Sequence, residues 1–139
     1  MIEITMKIAV MGEIHQDGWK IFEKNNLKSF ELTNFEENSL KKELSEVDAI
    51  LLRTARLSNN VISCCKKLKI VSRHGVGYDN VDVNYLNQNN IALGITSTSN
   101  AVSVAEHVLT SFLYLSKNIH LSDKLTREGR FNDKSSLPN

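Results

Sequence analysis

VSRHGVGYDN, residues 71–80, is the stretch on which the reading of this chain turns. An apolar run stops at the basic pair Arg73-His74, two glycines follow with one residue between them, and Asp79-Asn80 comes next. A strand that empties into Gly-x-Gly looks like the opening of a nucleotide-binding turn in an α/β sheet. The third glycine of that fingerprint is absent, because Asn80 stands in its place. The turn therefore needs another occupant.

Working outward, the run before the glycines is one of five short apolar runs at nearly even spacing. They are KIAVMG from Lys7, KSFEL from Lys28, DAILL from Asp48, LKIVS from Leu68 and IALGI from Ile91. Short runs rich in Ile, Val and Leu read as buried parallel strands. The segments between them are polar with helical periodicity. Trp19, Phe22 and Leu27 mark the first, and Leu40, Leu44 and Val47 the second. Val61, Ile62 and Cys65 mark the third, and Val83 with Leu86 the fourth, with Asp82 as an N-cap. Strand then helix, repeated, predicts right-handed crossovers and a parallel sheet covered on both sides. No sequence repeat accompanies this rhythm.

The helix predicted from Ala101 to Asn118 differs from these. Ala101, Val104, Ala105, Val108, Phe112 and Leu115 form one stripe, and Val102, Leu109, Leu113 and Tyr114 form much of a second. A surface helix is ordinarily apolar on one stripe, so this one is expected to be covered on two sides. Ser103-x-x-Glu106 matches a capping box, and Asn100 is an equally good N-cap. Beyond it the chain turns polar and ends beside Pro138, which predicts a short helix fading into a loose tail.

Composition narrows the function classes. The 139 residues suit one domain, and 41% apolar content is enough for a core. A formal net charge of +1, with no long Lys/Arg block, argues against a nucleic-acid partner. The apolar runs are too short to cross a bilayer, and MIEITMK lacks a signal-peptide core. Cys64 and Cys65 are adjacent and are the only cysteines, so neither a disulfide framework nor a cysteine zinc site is available. His15, His107 and His120 show no metal-ligand spacing, and no metal is expected; His74 lies beside the glycine loop with no acid placed to orient it and reads as structural. The expected setting is reduced and cytoplasmic.

Ligands of open α/β sheets sit beyond the carboxyl ends of the strands. That rule gathers Gly12-Glu13, Arg53 to Arg56, Arg73 to Gly77 and Thr96 to Asn100 on one rim. Glycine-shaped amides and an arginine fork suit a small anion. Each residue also has a plainer reading. Gly75 and Gly77 can serve backbone geometry alone, Arg53 and Arg56 can be solvated surface, and Glu106 can be a cap. A receiver domain or a flavodoxin could share the sheet. Their loops would need an acidic pair or a hydroxyl-rich phosphate loop where this chain has GEIHQDG, and a receiver's Asp where it has Arg53.

RTARL, RHGVGYDNVD and NAVSVAEHV, in this order and spacing, resemble the NAD-dependent D-2-hydroxyacid dehydrogenases. The similarity runs from about the first strand to REGRF. It implies a flavodoxin-like, three-layer substrate domain with a five-stranded parallel sheet over residues 1–100. It also implies an interdomain helix over 101–120, and a short helix and tail over 121–139 leading toward a dinucleotide-binding domain. Such enzymes pass a hydride between nicotinamide and a 2-hydroxy or 2-oxo acid of the phosphoglycerate or hydroxypyruvate type.

By the resemblance, the Gly75-Val76-Gly77 loop offers amides to the substrate carboxylate and Arg53 faces the substrate. Val76, Asn100 and Val104 border the NAD or NADP of the complete enzyme. The family's catalytic arginine, glutamate and histidine have no counterpart here, nor does its Gly-x-Gly-x-x-Gly. The chain is therefore expected to be a truncated substrate-binding half that binds no dinucleotide tightly and is inactive alone. The alternative is a stand-alone carboxylate-binding or dimerising module. Its partner surface, for a dinucleotide domain or for a second copy, is residues 101–118. Where many members have Asn-Thr-Pro, this chain has Ile95-Thr96-Ser97.

Overall fold

The computed structural model describes residues 6–130, 132 and 133, and the chain divides into two compact units, 1–97 and 98–139. The first unit is a five-stranded sheet. Its strands are β1 (Lys7–Met11), β2 (Lys28–Leu32), β3 (Ala49–Leu52), β4 (Ile70–Arg73) and β5 (Ala92–Ile95). All four pairings are parallel, and the spatial order is β2-β1-β3-β4-β5. The strand order reverses between β1 and β3, which makes that junction the switch point of the sheet. Four helices link the strands: α1 (Gln16–Lys24), α2 (Glu37–Glu43), α3 (Asn59–Ile62) and α4 (Val83–Gln88).

One face of the sheet carries the core. Ala9, Met11, Ile50, Leu52 and Val71 alternate with their neighbours onto the same side, as a period of two requires. They form one buried cluster with Leu40, Leu44 and Val47 around α2, Val61 and Ile62 of α3, and Leu86 of α4. Each such side chain contributes roughly 1.5–3 kcal/mol by leaving water. The periodic positions expected for the second and third helices fill this cluster; of the fourth helix's pair, Leu86 joins it and Val83 is only half-buried. In contrast, α1 has no fully buried residue.

Local sequence explains the element ends. Asp82 caps α4 by accepting from the Tyr85 N–H at 3.0 Å. Asn26 and Asn90 adopt positive φ just after α1 and α4, the conformation asparagine tolerates best after glycine. The third helix is shorter than its pattern suggests. It ends at Ile62, and Cys65 is buried from the following turn. Burial pushes the Cys65 thiol up to about 11, which makes it a poor nucleophile.

The second unit holds α5 (Ala101–Ser116) and α6 (Ile119–Arg127), which contact each other and are joined through Asn118 at φ 44°. Leu125 of α6 is buried. Both apolar stripes of α5 are exposed, from 42% at Tyr114 to 75% at Leu115. The capping box expected at Ser103 is not formed. The helix begins at Ala101, so Ser103 lies inside its first turn, and Asn100 occupies the cap position without a side-chain bond to the helix. The loose tail predicted beside Pro138 lies outside the described residues.

Candidate functional site: an amide turn at the carboxyl end of the sheet

Three strand exits shape the rim. After β1 the chain turns through Gly12, whose φ of 107° belongs to glycine. A Cβ there would lie 3.1 Å from the Cβ of Arg53, so Gly12 also makes room for the residue that follows β3. Arg53 uses that space to reach back. Its Nη1 donates to the Glu13 carbonyl at 2.7 Å, and its guanidinium makes no other hydrogen bond among the described residues. Arg53 is thus an anchor between the first and third exits.

The fourth exit is the glycine turn. Arg73 ends β4, and its side chain folds over the turn. Nη1 donates to the His74 carbonyl at 2.6 Å, and Nε donates to Asn80 Oδ1 at 3.3 Å. A Cβ on Gly75 would sit 2.6 Å from Arg73 Nη1, so the guanidinium can lie here only because residue 75 has no side chain. Asn80 carries the contact onward by donating through Nδ2 to the Ala55 carbonyl at 2.7 Å. Its own carbonyl accepts from Leu57 N–H, beside the isolated bridge between Leu57 and Val81. The residue that replaces the third glycine is therefore a strut between two exits.

This network decides which amides are available. The Gly75 N–H donates to the Arg73 carbonyl at 2.9 Å, and the Gly75 carbonyl accepts from Thr96 N–H at 3.1 Å. Gly75 is held on both sides and is not a free donor in this conformation. Val76 and Gly77 donate to no acceptor among the described residues. Gly77 lines a small cavity of about 220 Å³ with Thr54, Arg73, Asp79 and Asn80. Arg56 lines a neighbouring cavity of about 330 Å³ with Asp79, Asn80 and Asp82. Arg53 lines neither.

Two adjacent free amides beside an arginine suit a carboxylate, which accepts several hydrogen bonds at once. They do not suit a pyrophosphate. The Asn80 side chain is committed to Arg73 and Ala55, and no helix begins at the turn, since α4 starts at Val83. The residues of this turn do not form a dinucleotide-binding fingerprint.

Asn100 and Val104 lie in the second unit, at the start of α5, and both are exposed. Sequence reasoning placed Arg73 on the rim but missed Asn80 as a site builder. An asparagine just after a glycine turn, able to donate and accept at once, was the available signal. Among the described residues, no group of three or more His, Cys, Asp and Glu could hold a metal, and no helix is long and apolar enough to cross a membrane.

Comparison with known proteins bears on the family and the fold. The chain is 31% identical over 130 residues to the D-3-phosphoglycerate dehydrogenase of Archaeoglobus fulgidus. That match covers 93% of this chain but only 25% of the relative, so the chain spans a quarter of that protein's length. The crystal structure of the PH0520 protein of Pyrococcus horikoshii superposes with a TM-score of 0.83 at 22% identity, over 92% of this chain and 38% of that one, and shows the fold alone. The NAD+-bound 3-phosphoglycerate dehydrogenase of Entamoeba histolytica superposes with a TM-score of 0.68 at 25% identity, over 79% of this chain and 39% of that one. Residues 8–136 match the family described as D-isomer specific 2-hydroxyacid dehydrogenase, catalytic domain, and the chain belongs to that family.

Proposed function

We propose that this chain is the substrate-binding domain of an NAD(P)-dependent 2-hydroxyacid dehydrogenase of the phosphoglycerate or hydroxypyruvate type. The observation that carries the reading is the pair of unengaged amides at Val76 and Gly77 beside Arg73. In this proposal they hold the carboxylate of a small 2-hydroxy or 2-oxo acid, and Gly75 sets the shape of the turn. Arg53 braces the rim, and its remaining N–H groups meet a second acidic group of the ligand. In the assembled enzyme Val76, Asn100 and Val104 border the dinucleotide, which supplies the hydride chemistry when bound. This chain orients the acid so that its 2-carbon faces that chemistry. The proton on the hydroxyl is moved by residues outside these 139. The reduced cytoplasm is the proposed setting.

The test is a titration of the ¹⁵N-labelled chain with glyoxylate and hydroxypyruvate. The expected result is amide shifts at Val76 and Gly77, with no NADH oxidation. Silence at those two amides at millimolar acid removes the substrate-binding reading. Turnover of either acid by the purified chain removes the claim that it is inactive alone.

A second reading is favoured by α5, whose apolar residues Val102, Val108, Leu109 and Phe112 are all more than half exposed. Exposed apolar stripes of this kind associate. Here the helix pairs with a dinucleotide-binding domain in the enzyme, or with a second copy in a regulatory module. Light scattering across concentrations separates these. A monomer throughout leaves the dinucleotide domain as the partner.

A further inference from the structure

We propose that the amino end of the sheet carries a second binding site, for a small aromatic anion, between Lys7, Lys28 and Lys42 over the ring of Phe30. The site begins with strand register. Lys7 and Lys28 are direct partners across the β1–β2 pair, so their side chains leave the same face of the sheet. Phe30, two residues beyond Lys28, shares that face. Like charges placed side by side are destabilising unless something neutralises them.

Some lysines elsewhere on this surface have carboxylate partners, while others, such as Lys24 and Lys66, have none among the described residues. Lys67 pairs with Glu46 at 2.6 Å, Lys69 with Asp48 at 3.0 Å, and Lys20 with Asp17 at 2.7 Å. Among the described residues, Lys7, Lys28 and Lys42 have none. Two of the acids close by are committed: Glu46 is held by Lys67, and Asp48 accepts from Lys69 and from the Lys7 backbone N–H. Glu43 accepts from the Ser39 hydroxyl at 2.8 Å and has no cationic partner among the described residues.

These three lysines line one cavity of about 510 Å³ together with Glu43 and Glu46, so the lining carries one positive charge in excess; the cavity is more than twice the volume of the one beside Gly77. Its other notable feature is aromatic. The half-buried Phe30 lines the cavity, and Lys7 Nζ stands 5.1 Å from the ring centroid. Ammonium groups around a half-buried ring select a ligand with an acidic head and a flat apolar body, since the head meets the charges and the body packs against the open part of the ring. Inorganic anions satisfy only the first requirement, and neutral aromatics only the second. The cavity lies at the opposite ends of the strands, roughly 13–17 Å along the strand direction at a rise of ~3.3 Å per residue, and two to three strands, or about 10–14 Å, to the side of the glycine turn. The two sites are therefore separable by experiment.

Phenyl phosphate is the probe, titrated into the ¹⁵N-labelled full chain, with inorganic phosphate and phenol in parallel. The expected result is amide shifts at Lys28, Ser29, Phe30 and the segment from Lys42 to Glu46. Affinity should fall about tenfold for either half-probe, and about tenfold again in the Lys28→Gln/Lys42→Gln double variant with its spectrum otherwise intact. It should also weaken as salt rises from ~50 to ~300 mM. Absence of shifts at those residues at ~10 mM probe, equal binding by the double variant, or shifts confined to residues 73–77 would overturn the proposal. Inorganic phosphate binding as tightly as phenyl phosphate would remove its aromatic part.

Discussion

The two ends of this sheet hold their positive charge in opposite ways. At the carboxyl end two arginines brace the protein itself: Arg53 through one N–H on Glu13, and Arg73 on His74 and Asn80. What they leave open is a pair of backbone amides. At the amino end the first backbone N–H of β1 and of β2 is used, for Lys28 N–H bonds the Met6 carbonyl and Lys7 N–H bonds Asp48. What is left open there is the ammonium groups. A fixed amide pair gives geometry, whereas mobile lysines give charge with little geometry. On the readings proposed above, the carboxyl end orients a ligand and the amino end attracts one.

The largest expected effect comes from breaking the strut at the carboxyl end. Asn80→Ala leaves Arg73 Nε and the Ala55 carbonyl without their partner in a half-buried place. The cost should be about 2 kcal/mol, a fall in Tm of roughly 4–8 °C, with weaker shifts of Val76 and Gly77 by added 2-oxo acid. A stability loss below ~0.5 kcal/mol would mean the turn is not held by this network.

A smaller effect is expected at Asp48, which ties the amino end together. The hydrogen bond from the Lys7 backbone N–H, and then the one from Lys69, hold its carboxyl below the usual carboxylate range. A depressed folded-state value adds stability above the unfolded value of about 4, and that stability is lost as pH falls through the lower folded value. Urea unfolding of the native chain should therefore weaken below about pH 4. Asp48→Asn should cost about 1 kcal/mol at neutral pH and flatten that acid limb. An unchanged limb would assign acid sensitivity to other carboxylates.

The smallest effect sharpens the contrast. The Lys28→Gln/Lys42→Gln variant should change stability by less than ~0.5 kcal/mol, because these side chains hold nothing in the protein. A loss of a full kcal/mol would show them to be structural and the two ends to be alike.

Much of the sheet could be read from the chain because buried parallel strands are short, apolar and regularly spaced. β1 and β2 begin at the lysines that open their runs. β4 was less legible. Leu68 is buried yet precedes the strand, and Arg73 pairs within it, so hydrophobicity misplaces both ends by a residue or two. The glycine turn was visible, but its wiring was not. The Arg53–Glu13 bond spans 40 residues, and no local pattern encodes it. The juxtaposition of Lys7 and Lys28 depends on register, which only the folded sheet reveals.

The strut at Asn80 has a further consequence for how this rim can change. Because one side chain and its own carbonyl fasten the segment after β3 to the segment after β4, neither loop varies in length by itself. An insertion near Ala55 would tilt the amides of residues 76 and 77, although it touches neither. Recutting this domain for a larger acid therefore calls for both loops to be rebuilt together, or for Asn80 to be released first.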